Sequence, residues 1–459
     1  MEKINQRIID IFLSADFKQL CSRIILLTAV LLFVPMPVYA LSIISDEETE
    51  QFLYQTASPL YRTAKIPINR NKIFIVQDNS LNAFVSDGNN LFIHTGTIMA
   101  ADNKNELSGV IAHELGHIAG GHILRGKIQA QELQKVELAS LILATAVAAV
   151  GKQTDAAMAV MLGGQSSMLK AYTSFRTAQE RSADTAAIKY LTQNQESPVG
   201  MLNFMKKIRA QNKMTGNEEN PYFRTHPLTT ERIDFMEQAV KNSKYKPDFA
   251  SDADFARIKA KLSGFLLSPE ETYRRYPPSD NSIAAQYART IADFKALRIS
   301  AALKKIDSLI IEEPQNPYFR ELKAQIYMET GKAHQAKIEY AKALDLLPDS
   351  PLFQVNWAQA ALEASPSSQE LNKIVNILNQ AVIKAPYPLA WLLLSRAYAE
   401  QGKIGLSEYA AAEYSLSIGE IKIAKQQVQR AQKRSNITSS VKLKLDDLLK
   451  RINELDKSR

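Results

Sequence analysis

The sequence predicts an α+β fold that is mostly α: a mixed N-terminal domain with a small edge-strand sheet, followed by an all-α superhelix of repeated helix pairs. Three observations carry this. Five of the six histidines fall between residues 41 and 240, among short β-like runs and helical segments. From about residue 284 onward the pattern is helical throughout and rich in Ala and Leu. Pro314, Pro348 and Pro386 punctuate that region at intervals near ~34 residues, a helical-repeat period.

A chain of 459 residues with 46% apolar content can bury a sizeable core and has room for two or three domains. Its formal charge of +8 is spread along the chain rather than clustered, which argues against nucleic acid as a partner. An acidic protein surface or an anionic membrane face stays open. At the N-terminus, Lys3, Arg7, Lys18 and Arg23 precede the apolar run Ile24 to Val34, and Val38-Tyr39-Ala40 offers the residues a signal peptidase reads. Residues 1–40 are therefore expected to be a signal peptide cleaved after Ala40, with an uncleaved anchor as the alternative. Cys21, the single cysteine, precedes that apolar run. The chain after residue 40 thus needs no disulfide in an oxidising compartment, and any metal there must be held by His and carboxylate.

Residues 41–240 are read as the domain that carries chemistry. Ile73 to Val76 and Leu91 to His94 read as strands around the turn-rich Ser86-Asp87-Gly88-Asn89-Asn90, with His94 decorating the second strand. Asn105 to Arg125 reads as one helix with Leu107, Val110, Ile111 and Leu115 along an apolar face. Within it lies His113-Glu114-Leu115-Gly116-His117. Two histidines four apart project from one face and can grip one ion, while Glu114 points beside them, where it can act as general base on a metal-bound water.

His122 is the obvious third histidine. On a continuous helix at 100° per residue it lies about 180° from His113 and about 140° from His117, facing away from the ion. The pattern HExxHxxGxxH accommodates Gly120, but its final histidine would fall at position 123, which is Ile. His122 is accordingly read as a residue outside the ligand set, structural or behind the ligands. Further on, in Arg176-Thr177-Ala178-Gln179-Glu180-Arg181-Ser182-Ala183-Asp184, Glu180 and Asp184 are four apart on an expected helix, and Ala183 leaves room for close packing. Such a pair can give one carboxylate to the metal and the other, a turn away, to the free nitrogen of a ligand histidine.

Between these motifs lie two apolar stretches, Leu138 to Val150 and Ala156 to Leu162, each shorter than the ~20 residues of a membrane span. Burial against the catalytic core is the first reading, and a flap that leans on lipid the second. A last element, Arg224-Thr225-His226-Pro227-Leu228-Thr229-Thr230-Glu231-Arg232-Ile233, places His226 in a loop before a helix. By itself His226 is equally a capping residue or a site residue, and Arg232 is suited to pair with a buried carboxylate the sequence does not identify.

Residues 241–283 are expected to be a connector with one helix, around Asp254 to Phe265, and residues 284–459 a helical repeat domain. The clearest unit runs from Pro317 to Pro348, with Ala324, Tyr327, Gly331, Ala336, Tyr340 and Ala343 at small, aromatic and turn positions. This resembles a tetratricopeptide repeat. Weaker copies are traced through Ala302, Leu309 and Pro314, through Ala381 and Pro386, and through Ser395, Tyr398 and Gly402. A superhelix of this kind implies a partner-binding concave face; a plain helical bundle is the alternative.

Taken together, HELGH, the ERSAD run and THPLTTERI resemble the HtpX-like and CAAX-protease-like gluzincin metallopeptidases. With the leader and the repeats, the chain is similar to the periplasmic branch of these enzymes in Gram-negative bacteria. The resemblance implies one zinc ion (Zn2+) per chain held by His113, His117 and Glu180, with Glu114 as base and Asp184 behind the ligands. It implies that His226 approaches the metal, either assisting the reaction or occupying the water site. The expected activity is endopeptidase cleavage of unfolded or misassembled envelope proteins, with substrate paired to an edge strand. The repeats would hold clients or the outer-membrane protein assembly machinery, with peripheral membrane contact as an option. The alternative class is a chaperone or scaffold with proteolysis in reserve.

Overall fold

The computed structural model describes residues 42–151, 154–215, 225–246, 252–385, 387–434 and 437–457, without the side chains of 137–138, 141–165, 167 and 214–215. The expected signal peptide, its cleavage point and Cys21 lie outside the described residues. Strand β1 (Ile43–Ile44) leads into α1 (Glu47–Ala64), which begins where the Asp46 carboxylate accepts from the Thr49 amide at 2.8 Å. Then come β2 (Ile73–Val76), β3 (Ala83–Ser86), β4 (Asn90–His94) and the short α2 (Thr95–Ala100). The sheet order is β1-β2-β4-β3, with β2 and β4 parallel and both outer strands antiparallel to their neighbours.

The two strands expected at 73–76 and 91–94 therefore pair with each other inside the sheet. The edge on the side of the histidines is β3, which the sequence reading placed among turns. Its four residues carry little pattern of their own, and they are held by pairing with β4, where the Phe84 and Phe92 rings stack at 4.8 Å.

Helix α3 (Lys104–Ala119) is capped by Asn103, whose side chain accepts from the Glu106 amide at 3.1 Å. The single helix expected over 105–125 is broken. Gly120 ends α3, Gly121 takes φ +62, and a new helix, α4 (His122–Gly151), starts at once. Helix α4 pairs with α5 (Thr154–Gln193) as a long hairpin. The apolar stretches 138–150 and 156–162 lie on it, and what most of their side chains contact falls outside the described set. Among the described residues no helix is long and apolar enough to cross a membrane. The far half of α5 packs on α3, and there Gly116 faces Ala183 so closely that a Cβ would sit 2.6 Å from its carbonyl oxygen.

Helices α6 (Val199–Thr215) and α7 (Thr230–Lys241) close the domain over a core that includes Leu53, Leu60, Ile75, Ile93, Leu107, Ile111, Met205 and Met236. The same core contains Phe255, Ile258 and Leu262 of α8 (Ala253–Leu266), so part of the expected connector is built into the first domain. It also holds two helices rather than one. Pro269 and the reciprocal Ser268–Glu271 capping box start α9 (Pro269–Arg275).

Ten helices follow among the described residues: α10 (Ile283–Lys295), α11 (Ile299–Glu312), α12 (Pro317–Glu329), α13 (Ala333–Leu346), α14 (Pro351–Glu363), α15 (Ser368–Lys384), α16 (Pro388–Glu400), α17 (Ile404–Ser417), α18 (Ile421–Gln432) and α19 (Ser439–Lys457). They pack in order as hairpins whose first helices start at 283, 317, 351, 388 and 421, the ~34-residue period of a tetratricopeptide array. Fully buried alanines such as Ala302, Ala324, Ala336, Ala343 and Ala397 let the helices approach, as the sequence spacing predicts.

The acidic start of α1 is clamped by this array. Glu47 accepts from Ser350 at 2.6 Å, Glu50 from Tyr387 at 3.2 Å and Glu48 from Tyr287 at 3.4 Å. Arg257 and Arg70 add ion pairs of 2.5 Å to Glu48 and 2.6 Å to Glu47, and Lys261 pairs with Asp46. Burial outweighs the nearby cations at Glu50 and at Glu321, and both carboxyls are pushed up to about 7.

Candidate metal centre

Helix periodicity puts His113 and His117 on one face of α3, and the Gly116–Ala183 contact brings α5 against that face, so Glu180 arrives beside both rings. His113 Nε2 and His117 Nε2 lie 3.1 Å apart, and each is 3.3 Å from an oxygen of Glu180. His226, from the loop before α7, places Nδ1 3.3 Å from His113 Nε2 and 3.2 Å from Glu180 Oε1. The four donor atoms lie within 4.8 Å of one another, and all four residues are buried. Bonds of ~2.1 Å in a tetrahedron separate ligand atoms by about 3.3 Å, so the spacing suits a single small cation.

The outer nitrogens strengthen this reading. His113 Nδ1 is 2.9 Å from Asp184 Oδ1, and His117 Nδ1 is 2.9 Å from His122 Nδ1. With protons on those Nδ1 atoms, both Nε2 lone pairs and a Glu180 oxygen aim at one point, an arrangement that is repulsive unless a cation lies there. The electrostatics agree. Burial opposes charge on His113, yet its contacts with Asp184 and Glu180 override that and raise it to about 9. Burial, reinforced by the charge of His113, drives His117 down to about 3. Glu180 also feels burial, but His226, His113 and His117 hold it well below the usual carboxylate range.

Glu114 completes the group. It is 1% exposed, neither carboxylate oxygen has a hydrogen-bond partner, and His226 Nε2 stands 3.4 Å from Oε1. Burial raises its pKa, as suits a proton acceptor. Behind the ligands, Arg232 grips Asp184 at 2.7 and 2.8 Å, reaches Glu180 Oε2 at 2.8 Å, and donates to the Pro227 carbonyl at 2.8 Å. This names the buried carboxylate that Arg232 was expected to find. Asp184 is held low because the Arg232 and His113 contacts overcome its burial.

The fold thus assembles His113, Glu114, His117, Glu180, Asp184 and His226 in one place. His94 stays apart, 2.9 Å from Ser80 Oγ and 3.6 Å from Asp78. Two relations escape a linear reading. His122 touches His117, because the Gly120-Gly121 break cancels the continuous-helix angles, and the two adjacent glycines were the available signal. The Ala83 carbonyl of β3 lies 3.3 Å from His226 Nε2, which sets the sheet edge against the metal centre.

Similarity to known proteins agrees with this geometry. The model of peptidase family M48 matches residues 47–240. The chain is 24% identical over 424 residues to the beta-barrel assembly-enhancing protease of Yersinia pestis, covering 90% of this chain and 85% of that protein. It is also 24% identical to the Escherichia coli protein of the same name, covering 73% and 69%. A protease HtpX homolog of Streptococcus thermophilus is 41% identical over 76 residues, 16% of this chain and 25% of that one. The segment that carries the buried histidines and Glu180 is a peptidase domain of family M48.

Proposed function

We propose that the chain is a zinc-dependent metalloendopeptidase of the periplasm that cleaves unfolded or misassembled envelope proteins. One observation carries the enzymatic part: three buried donors, His113, His117 and Glu180, converge beside the unpartnered carboxylate of Glu114. Zinc, when bound, supplies a Lewis acid that polarises a carbonyl and lowers the pKa of water. Glu114 is the proton acceptor next to it, and Asp184 holds His113 in the tautomer that offers Nε2. Arg232 keeps Asp184 and Glu180 charged and in place. An extended substrate would lie along β3, whose outer edge adjoins the site.

His226 supports a second reading. Its Nδ1 takes a fourth donor position, whereas a catalytic zinc keeps one position open. The resting enzyme is then closed until the loop carrying His226 withdraws, and the repeats serve as a chaperone-like scaffold for the outer-membrane assembly machinery in the meantime. The names of the relatives and the clamped repeat array support the envelope role. The test is metal analysis with a peptidase assay. Glu180→Ala should lose stoichiometric zinc, and Glu114→Gln should keep zinc while hydrolysis falls about 10²- to 10⁴-fold. Zinc retained in Glu180→Ala refutes the ligand set. Full rescue of envelope defects by Glu114→Gln would make the binding role dominant.

A further inference from the structure

We propose that His122 is a positioning residue for His117, doing for that ligand what Asp184 does for His113; the proposal rests on the zinc reading above. The local backbone makes the contact. Gly120 ends α3 with φ −72 and ψ −11, and Gly121 at φ +62 reverses the chain so that α4 begins at His122. The His122 ring then folds back over the break, where a Cβ on Gly120 would collide with it. His122 is 5% exposed, its ring centroid is 4.9 Å from that of His117, and the planes cross at 80°. From α5, Gln179 Nε2 donates to the His122 carbonyl at 3.2 Å, so the helix that carries Glu180 also anchors the break.

The chemistry fixes the direction of the hydrogen bond. The two Nδ1 atoms are 2.9 Å apart and share one proton. An imidazole that gives its Nε2 lone pair to an ion keeps its proton on Nδ1, and His117 Nε2 is the atom that faces His113 and Glu180. His117 therefore donates, His122 Nδ1 accepts, and the proton of His122 sits on its Nε2. The choice of partner follows from charge. Asp184 has Arg232 to balance it at 2.7 Å, whereas a neutral imidazole orients His117 without adding a third carboxylate to the centre. The zinc-site motif of this chain thus extends from HELGH through the two glycines to His122.

The test is chelator competition for zinc with the full chain, comparing wild type with His122→Ala, His122→Phe and His122→Gln, alongside thermal unfolding of each metal-free protein. Ala and Phe should weaken zinc binding about 10- to 100-fold, and Gln, whose amide oxygen can accept, should stay within roughly three-fold of wild type. Metal-free melting temperatures should match between Phe and wild type, which separates loss of the acceptor from loss of packing. Wild-type affinity in both Ala and Phe overturns the proposal, and so does wild-type affinity in Phe alone, since packing would then suffice. Absence of zinc from the wild type would overturn the underlying reading instead.

Discussion

Replacing Arg232 by Met keeps most of the side-chain volume and removes a guanidinium that is 2% exposed. Four contacts are lost: 2.7 and 2.8 Å to Asp184, 2.8 Å to Glu180 and 2.8 Å to the Pro227 carbonyl. Asp184 is fully buried and keeps His113 as its remaining short contact, at 2.9 Å. Breaking a buried pair by removing one partner costs about 3–5 kcal/mol, because the other charge stays desolvated. At ~2–4 °C per kcal/mol for a domain of this size, the melting temperature should fall by roughly 6–20 °C. The assay is thermal unfolding by circular dichroism with chelator present, so that metal does not mask the loss. Asp184→Asn in the Arg232→Met background removes the stranded charge, and the two changes should couple by about 0.5–3 kcal/mol. A melting temperature within ~2 °C of wild type, or strict additivity, would show that the pair is not a buried support of the site.

Three further outcomes are expected. Glu50 and Glu321 titrate near 7 when folded, against 4.5 for the free group, so they favour the folded state below about 4.5 and that contribution is lost as pH rises to about 7. Melting temperature should decline over that window and Glu321→Gln should flatten the decline; an unchanged slope would place the effect elsewhere. His226→Ala should raise peptide hydrolysis roughly ten-fold or more, in proportion to the fraction of molecules it holds closed, while three zinc donors remain. Equal or slower turnover would count against closure by His226. Gly116→Ala drives a Cβ against backbone at Ala183 and should cost about 1–3 kcal/mol together with weaker metal retention, measured by melting and zinc titration.

What was legible in the sequence was local. His113 and His117, and again Glu180 and Asp184, stand one helical turn apart, and that spacing determines which face they share whatever the rest of the chain does. The alanine, glycine and proline spacing of the repeats is likewise a helix-pair property, so the array from 283 onward follows the sequence closely. The metal site was readable from residue chemistry for the same reason: without cysteine after residue 40, only His and carboxylate were available.

Other features depended on segments distant in the chain. Strand β3 has four residues with weak alternation, and its identity comes from β4; helix α8 joins the first core because Phe255, Ile258 and Leu262 meet side chains from residues that lie before position 210. The angular argument that turned His122 away assumed one helix, and a two-glycine reversal brought its ring within 2.9 Å of His117. Likewise, nothing near Arg232 in sequence marks Asp184 as its partner. Sequence by itself determined the donor types and their helical faces, because those are set by 3.6-residue periodicity. Tertiary structure alone decided which faces meet, because the approach of α3, α5 and α7 depends on a glycine against an alanine backbone and on a buried arginine.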